Sequence, residues 1–558
     1  MHRCLAIPEI LHLICALIGY RNPRGLERRR SLGSLALCCK LFLGPALSVL
    51  WKSLDSLRPL LRTLPPSVFK KGSMTFETIR CIEPKDLDKF NFYAPLVQSL
   101  SLSSLPDATC LASLHLSCCT PLLPNLRSLD CAHLRGDFFH HILLFLHHKI
   151  TRLVIRLTPG SYHGIAVSLL PRLPAICPNV HDFAFVGFYD YDNEVHMRIT
   201  SEVASRWDNV NSLHISVLRE TDLRKVAALP YLQRLHIESP HKTLANSAPI
   251  PEPAFLALRE LCVEVPTMEF GARLMGIVRA GGLNLDKLGI DIQDLSPYDV
   301  HQKAGWPLLI SAVTQSCMPL ALRDLKLNEC AFYESEELAD EDEEWPRTLT
   351  LDALRPLFAF PHLTDLKLRC WGGFLLDDNA MQDLAMAWPL VETLMLETVR
   401  ADDRPHVATI HALVPLARHC PHLKSLVFDF DAASVVYAPA ATRGVRQHSL
   451  SDLSVEFSPI KSARVVAAFL SALFPNLRVI GSGDAAEYDG PDLEEEMDAA
   501  RTRQQKWRQV ERLLPMLRFA RAQEHDDHPG ASAPGEEIAD GTISPLDADF
   551  YDTDYSDL

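Results

Sequence analysis

One short string recurs along most of this chain: an apolar residue, any two residues, an apolar residue, any one residue, and a third apolar residue. Clear copies start at Leu232 (PYLQRLHI), Leu322 (LALRDLKL), Leu363 (PHLTDLKL), Val391 (PLVETLML) and Leu423 (PHLKSLVF). Looser copies start at Val97, Leu126, Ile150, Val180, Val210, Leu258, Leu285, Leu450 and Leu477, which makes 14 in order. Successive starts lie 22 to 41 residues apart, about 29 on average. A fixed short period would give a uniform coil. This irregular one predicts a short strand followed by a helix or loop of varying length. The last two apolar positions alternate with polar ones, as on a strand with one buried face. No single unit could bury that face alone, so neighbours must stack.

Prolines keep phase with the string. Pro95, Pro124, Pro178, Pro230, Pro361, Pro389, Pro421 and Pro475 each stand two residues before a first apolar position. Proline cannot continue a helix and biases its predecessor towards extended backbone, so each marks a handover from helix to strand. Two intervening segments, Asp377 to Trp388 and Ser462 to Phe474, open with N-cap residues and carry helical apolar spacing. Period and pattern are those of leucine-rich repeats at the long end of their range. The expected fold is an α/β leucine-rich-repeat solenoid, with a curved parallel sheet on the concave face and helices and loops outside. It is expected to span 95–483, after a linker and solenoid start at 55–94. A C-terminal capping helix is expected within 484–522, kinked at Pro515 and burying Trp507, Val510, Leu514 and Leu517. An acidic, disordered tail is expected at 523–558.

Composition narrows the function. The chain has 558 residues, 47% of them hydrophobic, which excludes a wholly disordered protein. From Asp484 onward 20 acidic residues face 7 basic ones, so −13 of the net −15 belongs to the C-terminal end. The body has no basic stripe to attract nucleic acid. No stretch approaches the ~20 apolar residues of a spanning helix, so no membrane role is expected. The 15 cysteines are odd in number and irregular in spacing, which predicts buried free thiols in a reducing compartment, the cytoplasm and/or nucleus. No GxSxG, HExxH or P-loop string occurs, and His141 and His148 lie seven apart where helical zinc ligands would lie four apart. No catalytic residue, metal site or cofactor is expected, and the chain is not expected to be an enzyme.

The first 54 residues differ from the repeats. Ile7 to Gly19 reads as a short apolar helix led by Pro8. A basic loop should follow from Arg21 to Arg30, then a second helix capped by Ser31. Gly44-Pro45 should break the chain before ALSVLW ends at Trp51. Three short helices carry more apolar surface than they can bury among themselves, which suggests a docking face. This segment resembles the F-box: Ile7-Pro8-Glu9-Ile10 stands where that family has Leu-Pro-x-Glu-Ile, one spacer short. Cys39-Lys40-Leu41-Phe42 ends the second helix, and Leu50-Trp51 closes the segment. With the degenerate repeats behind it, the whole chain resembles fungal F-box proteins with leucine-rich repeats.

That resemblance implies a substrate-recognition subunit of a Skp-cullin-F-box type ubiquitin ligase. The helical segment would recruit the Skp-type adaptor through Ile7, Pro8, Ile10, Leu11, Leu35, Leu50 and Trp51, and the repeats would bind a substrate protein. The alternative is a repeat scaffold with no ubiquitin-ligase link, its N-terminal helices serving only as an end cap.

On either reading the polar residues alternating with the buried leucines face the partner. The candidates are Arg234, His236 and Glu238; Asp324, Lys326 and Asn328; and Asp365, Lys367 and Arg369. Met395 in the next row and Trp371 just past a strand complete the set. An acidic run from Tyr333 to Trp345 should form a solvated loop in the widest repeat gap.

Overall fold

The computed structural model describes residues 7–21, 25–70, 76–102, 108–117, 121–134, 141–157, 169–186, 206–240, 244, 247–251, 254–279, 282–293, 305–330, 348–398, 407–434, 444–483 and 494–527. The acidic run 333–345 and residues 528–558 of the tail lie outside them.

Three helices come first: α1 (Pro8–Arg21), α2 (Gly25–Cys38) and α3 (Lys40–Trp51). They bury a small core of their own, built from Cys15, Leu32, Ala36, Ala46 and Val49. Two expectations are corrected here. The basic loop is mostly helix, because arginine, leucine and glutamate favour helix and polarity does not stop one. Ser31 therefore lies inside α2 and does not cap it. Gly44-Pro45 lies inside α3 and does not end it. A residue before proline usually avoids the helical region because its Cβ meets the proline ring, and glycine has none.

The rest is a single 15-stranded sheet whose spatial order follows the chain, every neighbouring pair parallel. It runs from Ser53–Leu54 to Val479–Gly481. A separate pair, Leu349–Thr350 with Phe374–Leu375, lies beside it. Register makes the repeat visible. The middle apolar residue of each unit stands directly opposite that of the next: Leu288 faces Leu325, Leu325 faces Leu366, Leu366 faces Leu394 and Leu394 faces Leu426. This ladder continues without slip from Leu54 to Ile480. All fourteen first positions are at most 2% exposed. The chain is an α/β solenoid of leucine-rich-repeat type. Its first strand departs from the recurring string: Trp51 and Leu54 hold the first two positions, and Ser56 occupies the third.

Two backbone devices hold the units together. The carbonyl of the residue after each first apolar position accepts two N–H groups from the next unit. Arg323 O, for example, takes Thr364 N at 2.8 Å and Asp365 N at 3.0 Å, and Thr364 O then takes Glu392 N and Thr393 N. A carbonyl has two lone pairs, so both donors are satisfied. The prolines have a sharper role than helix stopping. Pro95, Pro124, Pro361, Pro389, Pro421 and Pro475 each sit second in a turn closed by the first apolar N–H, as in Leu423 N to Cys420 O at 3.2 Å. The residue before proline is non-helical at five helix ends (Cys177, Phe360, Trp388, Cys420 and Phe474), with ψ between 66 and 80°. The N-caps expected at Asp377 and Ser462 are present, accepting from Ala380 N and Val465 N.

The two ends of the sheet are bounded differently. At the start, Trp51 stacks on Tyr93 with ring centroids 4.3 Å apart. At the finish, a long helix (Glu494–Asp527) runs through Pro515 and into residues expected to be tail. It buries Trp507, Val510 and Leu514 in the solenoid core, with Leu517 packed alongside. Its polar side chains serve backbone groups of the last units. Glu511 accepts Ile480 N at 3.2 Å, while Arg518 donates to Leu477 O at 2.6 Å and Trp507 Nε1 to Ser458 O at 2.9 Å.

Candidate partner-binding surfaces

In the strands Glu260–Val265, Asp324–Glu329 and Asp365–Cys370, half-exposed and buried residues alternate without a break. The buried set points at the helices. The polar set forms an open face in rows, because parallel register keeps equivalent positions adjacent. Asp324, Asp365 and Thr393 make one row; Lys326, Lys367 and Met395 the second; Asn328, Arg369 and Glu397 the third. The structure thus gathers eight of the sequence candidates (Asp324 to Met395) on or just past three neighbouring strands. Arg234, His236 and Glu238 lie three strands away on the same face, roughly 14 Å at the usual strand spacing.

These rows are wired to their neighbours. Lys326 Nζ lies 2.7 Å from Asp291 Oδ1 and Asn328 Nδ2 donates to the same oxygen at 3.0 Å. Asp324 pairs with Lys287 at 3.2 Å, and Arg369 with Glu397 at 3.2 Å. Asp365 accepts from Thr364 Oγ1 at 3.0 Å. Arg234 reaches Asp182 at 3.9 Å. Trp371 is half-buried and its N–H donates to Glu329, a carboxylate wholly inside the core beside Cys370. Neither Glu329 nor the flanking partners Lys287, Asp291, His214 and Glu264 were singled out from sequence. The looser copies at Val210, Leu258 and Leu285 place all but Glu329 in the open rows, so alignment of the weak units would have found them.

The second surface is on the helices. Ile7 is 43% exposed, Pro8 is exposed and Ile10 half-buried. Leu35 and Leu50 pack partly into the three-helix core. Leu11 was expected on the docking face, but it is 2% exposed and points inward. Trp51 is committed to Tyr93 and the solenoid. The exposed apolar surface comes instead from Leu13 and Leu17, 61 and 59% exposed and one turn apart on α1, with Leu37, Leu41 and Leu43 near the α2–α3 junction.

Burial pushes the thiols of Cys177, Cys317 and Cys420 up to about 12. His141 is buried and His148 exposed, so the two share no face. His147 is structural: its Nδ1 accepts Lys149 N and its Nε2 donates to Leu123 O at 3.0 Å. Among the described residues no group of three or more His, Cys, Asp or Glu could hold a metal ion, and no helix is long and apolar enough to cross a membrane.

No protein-family model matches the chain, and neither does any curated protein. Among solved structures it is similar to the complex of Rad7 and Elc1 in yeast, at 15% identity and TM-score 0.36, covering 62% of this chain and 78% of that one. It is also similar to an internalin, inlF, from Listeria monocytogenes (15% identity, TM-score 0.32, 64 and 81% covered). A third is the TLR13–ssRNA13 complex (15% identity, TM-score 0.30, 69 and 57% covered). Strand order and repeat register carry the fold assignment by themselves.

Proposed function

We propose that this protein recruits one protein through its N-terminal helices and holds another on the open face of its sheet. More specifically, it is the substrate-recognition subunit of a Skp-cullin-F-box type ubiquitin ligase. The observation that carries this reading is the exposed leucine surface of the three-helix unit. Leu37 is the most exposed large apolar residue among those described, and Leu13 and Leu17 stand well out of a unit already closed by its own core. Exposed leucines on a folded helical unit are the ordinary mark of a docking face. A unit serving only as an end cap would turn its apolar side to the solenoid, whereas Leu13 and Leu17 are turned to solvent and Trp51 makes the aromatic contact to Tyr93.

The test is capture of a purified Skp-type adaptor by the full-length chain. Wild-type protein should retain the adaptor. Leu13→Asp with Leu17→Asp should weaken it at least about tenfold while the unfolding midpoint stays unchanged. Failure of the intact, folded protein to bind any such adaptor rejects the ligase link and leaves the scaffold reading. Affinity capture with the full chain then identifies the partner of the open face.

A further inference from the structure

Five carboxylates of the open face come with a permanent cation. Asp182 has Arg152 at 3.3 Å, Asp130 has Arg156 at 3.1 Å, Asp324 has Lys287 at 3.2 Å, Asp291 has Lys326 at 2.7 Å and Glu397 has Arg369 at 3.2 Å. Glu238 and Glu264, on adjacent strands, have histidines instead. His214 Nε2 lies 3.3 Å from Glu238 Oε1, and His236 Nε2 lies 3.8 Å from Glu264 Oε1. The other oxygen of each carboxylate accepts from a neutral donor, Ser216 Oγ or Gln293 Nε2, both at 2.9 Å. Among the described residues no lysine or arginine forms an ion pair with either glutamate.

The two imidazoles are direct register partners. They stack face to face, centroids 4.0 Å apart and planes 2° from parallel. Lone pairs of parallel rings do not converge on one point, which argues against a shared metal ion. His214 Nε2 is buried and makes no hydrogen bond, although Glu238 Oε1 lies 3.3 Å away. Beyond His236 the same row continues with Cys262 and then Gly289, side chains too short to screen the carboxylates from above. The remaining charges around the group are engaged: Arg234 with Asp182 and Lys326 with Asp291, while Glu260 stands opposite Lys287 in the outer row.

With neutral imidazoles this patch carries two uncompensated negative charges. With both imidazoles protonated, each glutamate has its own cation and the patch is neutral. Imidazole is the side chain that ordinarily changes charge between about pH 5 and 8. A guanidinium or ammonium group can therefore occupy the patch in one state and is displaced in the other. We propose that His214, His236, Glu238 and Glu264 form a docking point for a lysine or arginine side chain of the bound protein, open when the histidines are neutral and closed by their protonation. This rests on the open face being the partner surface.

A fluorescein-labelled tetra-arginine peptide serves as the probe, with fluorescence anisotropy on the full chain at about pH 8 and about pH 5.5. Wild-type protein should bind about tenfold more weakly at the lower pH. Glu238→Gln with Glu264→Gln, which keeps an acceptor for Ser216, should lose that binding at the higher pH. His214→Asn with His236→Asn should hold the peptide equally at both. Equal binding by the glutamine variant and wild type would assign the peptide to other acidic residues, such as those after 523, and overturn the proposal. So would an unchanged pH response in the histidine variant. The assay contains no adaptor, so it can fail while adaptor capture succeeds, and the reverse.

Discussion

At the scale of single residues, position in the repeat decides the cost of a substitution. Leu366 is wholly buried and sits mid-ladder between Leu325 and Leu394. Leu366→Ala should destabilise the chain by about 2–5 kcal/mol, read from the shift of the urea midpoint. Asp365, next to it in sequence, faces solvent on the open side, so Asp365→Ala should shift the midpoint by less than about 0.5 kcal/mol. Asp429 titrates. Desolvation of its carboxylate, with Glu456 beside it, pushes its pKa up to about 7, although Phe457 N and Thr398 donate to it and Arg503 lies nearby. The folded pKa is above the unfolded one of about 4, so the folded state holds the proton more tightly. Its contribution to stability is complete below about pH 4 and is lost as pH rises through about 7. Asp429→Asn keeps the acceptor for Phe457 N, so this variant should gain on wild type between about pH 5 and 8 in urea midpoints. An identical pH slope in both proteins would exclude Asp429 as the group responsible. The string identified Leu366 as buried from its spacing. Nothing in it marked Asp429, whose neighbours Glu456, Thr398 and Arg503 arrive from other units.

At the scale of elements, the covered C-terminal end of the sheet differs from its middle. The last strand, Val479–Gly481, would present an unpaired edge if the C-terminal helix were absent. Glu511 caps Ile480 N there, and Trp507 fills the core beneath. Trp507→Ala should cost about 3–5 kcal/mol locally, and amide exchange should rise in 450–481 with little change near residue 150. Uniform exchange along the chain would mean that the helix does not act as an end closure. This helix was readable in sequence because one face carries Trp507, Val510, Leu514 and Leu517 at helical spacing. The helices before Trp51 were less readable. Arg21 to Arg30 suggested a loop and Gly44-Pro45 a break, yet the stretch from Gly25 to Arg30 and Gly44-Pro45 lie within helices because packing against a shared core outweighs local signals.

At the scale of the whole molecule, each unit touches only its neighbours, so stability should behave as a row of local terms. Urea unfolding of the Leu366→Ala variant should begin in the units around Leu325, Leu366 and Leu394 and broaden the transition. A single sharp transition displaced as a whole would argue for stronger long-range coupling than nearest-neighbour stacking supplies. The sequence by itself determined the unit, its number to within one, and the alternation that puts leucines inside and charges outside. A period-two pattern and phased prolines are local properties, and local properties are written in neighbouring residues. Tertiary structure decided which charges meet. Asp291 finds Lys326 across 35 residues and His214 finds Glu238 across 24, because gaps of variable length still bring every strand into one register. Those loop lengths leave no periodic mark in the sequence, so the paired histidines of the open face and the inward turn of Leu11 became visible only once the strands and helices were packed.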